Sequence, residues 1–347
     1  MRFNKEIKIG EFKISESSET FIIAEAGVNH GGDIGIAKKM IDIAAESGAN
    51  AVKFQAFKTE ELILPNVTKS LYQLKTTSSS ESQYEMLKKL EITKEQNKAL
   101  KRYCDKKIVF LTTPFDEVSL DELDEINLPA YKISSTDITN LPFLERVAKK
   151  GKPIILSTGM SYLSEIEMAL SKIAQYCRDV ILLQCTANYP INDEDANLAV
   201  INTYKKYFDI LVGYSDHTIG IGASPYAVAM GSILIEKHFT IDKNLEGPDH
   251  KASLSPHELK ELVKEIRRVE RYMGASIKFP TISELNTRVS LQKCLVAATD
   301  IQRGEKFSEK NIIAKRMGGK GISPIYYEQI IEMTADKDYK KDDIIEI

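Results

Sequence analysis

Two of the five histidines in this chain close successive apolar runs: His217 in "ILVGYSDHT" and His238 in "SILIEKHFT". If those runs are neighbouring parallel strands, the two imidazoles lie side by side and can share one divalent ion. Two ligands of this type leave most coordination positions open to substrate and water. An ion held that way is a Lewis acid for a carbonyl. The competing reading is a pair of hydrogen-bonded core histidines. Other runs end on polar residues too: Glu25, Lys53 and Gln55, Thr113, Lys132 and Ser135, Ser157, Ser215 and Glu236. Two lysines among hydroxyls make a site for a phosphate and a carboxylate, unless each lysine is spent on Glu25 or Glu236. Period-two alternation puts Lys53 with Gln55 and Glu236 with His238. It turns Lys237 the other way, where it is expected to lean through a helical layer toward water. His30 and His250 fall in loops and are weaker ligand candidates, and His257 is expected to be solvated.

The elements that must position these residues are legible as eight apolar, β-branched runs at 21–27, 51–55, 108–113, 130–135, 153–159, 180–186, 210–216 and 232–239. Helical spacing separates most of them; Ile34, Ala37, Ile41, Ala44 and Ala45 share one face. "SPHE" opens the last helix with Ser255 at N-cap, Pro256 at N1 and Glu258 at N3. Eight strand–helix units predict a (β/α)8 TIM barrel, whose active site lies at the carboxyl ends of its strands. A doubly wound sheet fits less well, because no G-x-G-x-x-G follows the first strand. Residues 58–92 form a long connection, expected to be a functional lid. The barrel pattern covers 1–274, including an N-terminal extension. Residues 275–287 read as a linker and 288–347 as a small β-rich domain, too short to be robust alone.

Composition narrows the function classes. With 47 basic and 50 acidic residues the net charge is −3, which disfavours nucleic-acid binding. Four widely spaced cysteines show no C-x-x-C pair, so neither a zinc cluster nor a disulfide framework is expected. No apolar run is long enough to span a membrane, and the N-terminus lacks a signal-peptide core. A reduced, cytoplasmic location is expected.

In order along the chain, "FIIAEAGVNHGGD", "AVKFQ", "YKISS", "ILSTGM", "GYSDHT" and "EKHFTIDKNLEGPDHKASL" resemble the sialic acid synthase family, over nearly the whole chain. The C-terminal segment is similar to that family's antifreeze-like (SAF) domain. "YQLKTTSSSESQYEMLKKLEI" and "GPDHKASL" look most like the bacterial N,N′-diacetyllegionaminate synthases, with N-acetylneuraminate synthases as the alternative. The resemblance implies condensation of phosphoenolpyruvate with an open-chain N-acetylated mannose-type sugar, giving a nine-carbon α-keto acid and phosphate. It implies a manganese-type ion, with magnesium or cobalt as alternatives, on His217 and His238. Lys53, Thr113, Lys132, Ser135, Ser157 and Ser215 would hold phosphoenolpyruvate. Gln55 and Tyr189 would line the sugar pocket. Glu25 would contact sugar hydroxyls or transfer a proton. The family forms a homodimer with swapped C-terminal domains, and Arg316 would reach the sugar's acetamido group. Met317 stands where proline usually follows that arginine, and Gln184 where histidine is common. Tyr72, Leu74, Tyr84 and Met86 are candidates for a more apolar pocket suited to a 6-deoxy diacetamido sugar. A Schiff-base aldolase using Lys53 or Lys132 is the mechanistic alternative.

Overall fold

The computed structural model describes residues 1–70, 74, 77 and 81–347. The chain divides into two compact units, Met1–Gly274 and Ala275–Ile347. In the first, β1 (Glu6–Ile9) and β2 (Phe12–Ser15) form a hairpin. Gly10, at φ +60°, makes the turn between them. Eight parallel strands follow: β3 (Phe21–Gly27), β4 (Ala51–Ala56), β5 (Val109–Pro114), β6 (Tyr131–Ile133), β7 (Ile154–Ser157), β8 (Val180–Gln184), β9 (Leu211–Asp216) and β10 (Leu234–His238). They hydrogen-bond in the order β5-β4-β3-β10-β9-β8-β7-β6, and β5 packs beside β6, so the sheet curls into a nearly closed barrel.

Strand alternation divides the side chains into two apolar regions. Ile22, Ala24, Val52, Phe54, Tyr131, Leu156, Leu182, Val212 and Ile235 point outward and pack under the helices. Ile23, Ala51, Leu111, Ile155, Ile181, Leu211 and Leu234 point inward and fill the lower barrel. Ile7, Ile9 and Ile14 of the hairpin join that inner cluster and plug the barrel floor. The lumen is thus dry below and opens only at the carboxyl ends of the strands.

The second unit has its own small core of Leu295, Ala297, Ile301, Phe307, Ile312, Ile330, Tyr339 and Ile345. Antiparallel β11 (Lys293–Ala297) and β12 (Ile312–Arg316) run through it. The stretch expected to be a linker over 275–287 carries the start of a helix, Ile282–Leu291. The cause is local: Thr281 and Glu284 form a reciprocal capping box, which supplies two donors' partners at the helix start. Among the described residues no helix is long and apolar enough to cross a membrane.

Candidate active site at the barrel mouth

One layer above the apolar floor, the inward positions become charged. Glu25, Lys53, Lys132 and Glu236 all lie buried in the lumen. Lys53 Nζ is 2.8 Å from Glu25 and 3.8 Å from Glu236, and donates to Thr113 Oγ1 at 3.0 Å. Lys132 Nζ is 3.6 Å from Glu236 and donates to the Ile133 carbonyl. Each lysine is therefore paired, as the competing reading held, but the four charges form one contiguous group. Burial pushes the Glu25 carboxyl up to about 7; Lys53 opposes this and Glu236 reinforces it. Burial also acts against ionised Glu236, but Lys132 and Lys53 outweigh it and hold its carboxyl below the ordinary range. Burial lowers the Lys132 ammonium, while the two glutamates more than offset burial at Lys53 and raise it. Four ionisable groups pushed apart within one barrel lumen are a mark of chemistry. Hydroxyls ring the group. Ser215 Oγ lies 3.4 Å from Glu236. Ser157 Oγ is buried with no partner. Ser135 Oγ accepts from Gly159 N at 2.9 Å.

The two histidines stand at the rim of this layer, their ring centroids 5.9 Å apart. His217 Nδ1 lies 2.7 Å from the Thr186 carbonyl. A carbonyl can only accept, so Nδ1 carries the proton and Nε2 keeps its lone pair. His238 Nδ1 is buried with no hydrogen-bond partner. Burial lowers the His217 imidazolium to about 4; burial, with His217 and Lys53 adding to it, holds that of His238 well below its ordinary value. Both rings are therefore neutral near pH 7, the form that ligates metals. Among the described residues no group of three or more His, Cys, Asp and Glu side chains could hold an ion. The donor set is an imidazole pair, which fits a divalent ion that completes its shell with substrate and water.

Above the histidines opens a cleft of about 540 Å³. Gln55, Tyr189, His238 and Asp249 line one side, and Ser134, Ser135 and Thr136 border it. The Tyr189 ring lies tilted 4.1 Å from that of His217 and edge-on 5.5 Å from that of His238, measured between centroids. The other side is apolar. Phe57, Leu62, Met86, Leu87 and Phe115 belong to a satellite cluster in which the lid helix Gln83–Lys88 lies against the first and second strand ends.

A model of the NeuB family matches residues 40–278, and a SAF-domain model matches 292–346. The chain belongs to the NeuB family. It is 49% identical to the N,N′-diacetyllegionaminic acid synthase of Campylobacter jejuni over 94% of this chain and 99% of that protein. It is 43% identical to the synthase of the same name from Legionella pneumophila, over 93% of each. The crystal structure of N-acetylneuraminic acid synthetase from Leptospira borgpetersenii in complex with citrate aligns at a TM-score of 0.74. That alignment has 40% identity and covers 84% of this chain and 98% of that one.

In this NeuB chain, Glu25, Lys53, Thr113, Lys132, Ser157, Ser215, His217 and His238 come together in the lumen, with Gln55, Ser135 and Tyr189 at its mouth. Arg316 ends β12 in the second unit, exposed. Three expectations fail. Lys237 does not reach water: it is buried, with Nζ 2.9 Å from Asp216 Oδ2, because the helical layer covers that face completely. Leu74 is exposed and Tyr84 is not among the cleft-lining residues, so of these candidates Met86 lines it; Tyr72 lies outside the described residues. His30 and His250 hold loops together instead of facing the cleft: His30 Nδ1 accepts from Gly32 N, and His250 Nδ1 pairs with Thr240 Oγ1. Gln184 turns its amide into the helical layer, toward the Ala196 carbonyl. Asp249 was not singled out by sequence, yet burial raises its carboxyl to about 6 at the cleft wall. The available signal was its place beside His250 in the eighth βα loop.

Proposed function

We propose that this chain condenses phosphoenolpyruvate with 2,4-diacetamido-2,4,6-trideoxymannose, yielding N,N′-diacetyllegionaminate and phosphate. One observation carries the reading: in a NeuB-family barrel, a buried Lys53–Glu25–Glu236–Lys132 group shares the strand ends with two neutral imidazoles, Ser215 Oγ lying 3.4 Å from both Glu236 and His217 Nε2. Lys53 and Lys132 bind the carboxylate and phosphate, and Thr113, Ser135, Ser157 and Ser215 donate to the remaining oxygens. The open-chain sugar enters from the cleft with its aldehyde toward His217 and His238, against Gln55 and Tyr189. His217 and His238 would hold a divalent ion, which would supply Lewis-acid polarisation of a carbonyl.

Carbon 3 of phosphoenolpyruvate forms the new bond to the aldehyde carbon, and the aldehyde oxygen becomes a hydroxyl. Glu25, its carboxyl held near 7, supplies that proton. Water adds at carbon 2 and returns one proton to Glu25; the adduct then collapses to the ketone by breaking the carbon–oxygen bond to phosphate, its hydroxyl proton leaving with the phosphate. The sugar's identity is supported by the cleft wall. Burying the carbon 4 and carbon 6 hydroxyls of N-acetylmannosamine against Phe57, Met86 and Phe115 would cost about 1–3 kcal/mol each without partners. A methyl at carbon 6 and an acetamido methyl at carbon 4 suit that wall. From the family resemblance, the chain acts as a homodimer in which Arg316 of one subunit reaches the acetamido group at the other's barrel. The four cysteines are buried and unpaired, which suits the reducing cytoplasm.

The test is phosphate release with each sugar in the presence of Mn²⁺. Expected is a kcat/KM for the diacetamido sugar at least tenfold above that for N-acetylmannosamine, abolished by EDTA and restored by Mn²⁺. Equal or reversed rates would overturn the sugar assignment. Trapping of a pyruvyl–lysine adduct by borohydride would overturn the mechanism in favour of the Schiff-base reading.

A further inference from the structure

The outer face of the β9–β10 junction carries an ion pair that the reaction does not touch. Asp216 and Lys237 are cross-strand neighbours in the parallel ladder. Each immediately precedes one of the two histidines. By alternation they point into the helical layer while His217 and His238 point into the lumen. Lys237 Nζ lies 2.9 Å from Asp216 Oδ2 and donates to the Thr218 carbonyl at 2.9 Å. The Asp216 carboxylate accepts from Thr218 N and Oγ1 on one oxygen, and from Ser224 N and Oγ on the other. All of these groups are buried. Gly222, at φ +59°, lets the loop close over them; a Cβ there would fall 1.7 Å from Thr218 Oγ1.

A buried ion pair is poorly explained by stability, since well-packed apolar residues usually serve as well or better. What this one does is tie two strand ends and the loop between them into a single rigid piece. The main chain at both histidines is pinned in the same way: Ile191 N donates to the His217 carbonyl and Leu254 N to that of His238. We propose that the Asp216–Lys237 pair is a positioning device that sets, from behind the barrel wall, the spacing of the His217 and His238 imidazoles for a divalent ion. This rests on the reading that those imidazoles hold an ion. It makes the two residues before the histidines, and not only the histidines, determinants of metal affinity.

The test is Mn²⁺ binding followed by electron paramagnetic resonance, with urea unfolding in parallel. The wild-type protein binds Mn²⁺, and His217→Ala abolishes this. Lys237→Met and Asp216→Asn each weaken Mn²⁺ binding about 10–100-fold, as loss of outer partners of metal ligands does. The double variant is no worse than either single one, because the two act as one unit. Glu270→Gln controls for lost stability alone. It removes a carboxylate that accepts from Thr20 N and pairs with Arg267 just before β3, at the opposite end of the barrel, and it leaves Mn²⁺ affinity within about twofold of wild type. A folded Lys237→Met protein with wild-type Mn²⁺ affinity would overturn the proposal while leaving the metal reading intact. If Lys237→Met does not fold, Thr218→Val decides. It deletes a hydroxyl that donates to Asp216 and accepts from Ala223 N and Lys237 Nζ, leaving both charges in place; it should weaken binding several-fold, and unchanged affinity overturns the proposal. A wild-type protein that fails to bind Mn²⁺ overturns both.

Discussion

Glu25, Lys53, Lys132 and Glu236 are costly where they sit: ions taken out of water must be repaid by one another or by a ligand. Asp249 has no such compensation. Burial alone raises its carboxyl from 3.8 to about 6, so the folded state holds a proton that the unfolded chain has already released. Its effect on stability is therefore absent below about pH 4 and grows more unfavourable as pH rises to about 6. Asp249→Asn should be more stable than wild type above that window, by on the order of 3 kcal/mol at pH 8. The two should converge near pH 3. Urea midpoints at the two pH values check this; a constant difference would contradict the assigned cause. Asp249 was not legible in the sequence because loop residues carry no periodicity to say which way they face. Lys237 was half legible. Alternation turned it out of the lumen correctly, but not that the Asp216 carboxylate waited behind the wall.

At the scale of elements, the site depends on a change of layer along each inward-facing register: Leu111 to Thr113, Ile155 to Ser157, Ala51 to Lys53. That change was readable, because a strand's period of two places such residues on one face whatever the helices do. The hairpin plug and the helix at Ile282–Leu291 were not read, although "EIKIGEFKIS" alternates around a glycine and "TISE" spells a capping box. Both lie outside the eightfold strand–helix pattern. The segment 58–92 packs through a small cluster of its own, separate from the main core, and in the proposed reading it contributes to sugar specificity. Met86→Ala should therefore raise KM for the sugar about tenfold and leave KM for phosphoenolpyruvate unmoved, since a pocket contact of this size is worth about 1–3 kcal/mol. The urea midpoint of the barrel should barely shift. Steady-state kinetics with each substrate varied would show it, and a matching rise in both KM values would mean that the lid serves the whole site.

At the scale of the molecule, Arg316 is the one proposed sugar contact carried by the second unit. If subunits exchange these units, light scattering should give about twice the 39.0 kDa chain mass. Arg316→Ala should then lose affinity for the sugar at least tenfold with the assembly intact, about the effect of removing a charged hydrogen-bond donor. A fully active monomer would contradict that arrangement. The central claim is that the buried charged group beside the paired imidazoles breaks the carbon–oxygen bond of phosphoenolpyruvate as it builds a nine-carbon acid. Phosphoenolpyruvate labelled with oxygen-18 at the bridging position tests it most directly, by mass spectrometry of the phosphate released with the diacetamido sugar and Mn²⁺. The account predicts one labelled phosphate for each nine-carbon keto acid formed; unlabelled phosphate, or phosphate formed without the keto acid, would contradict it.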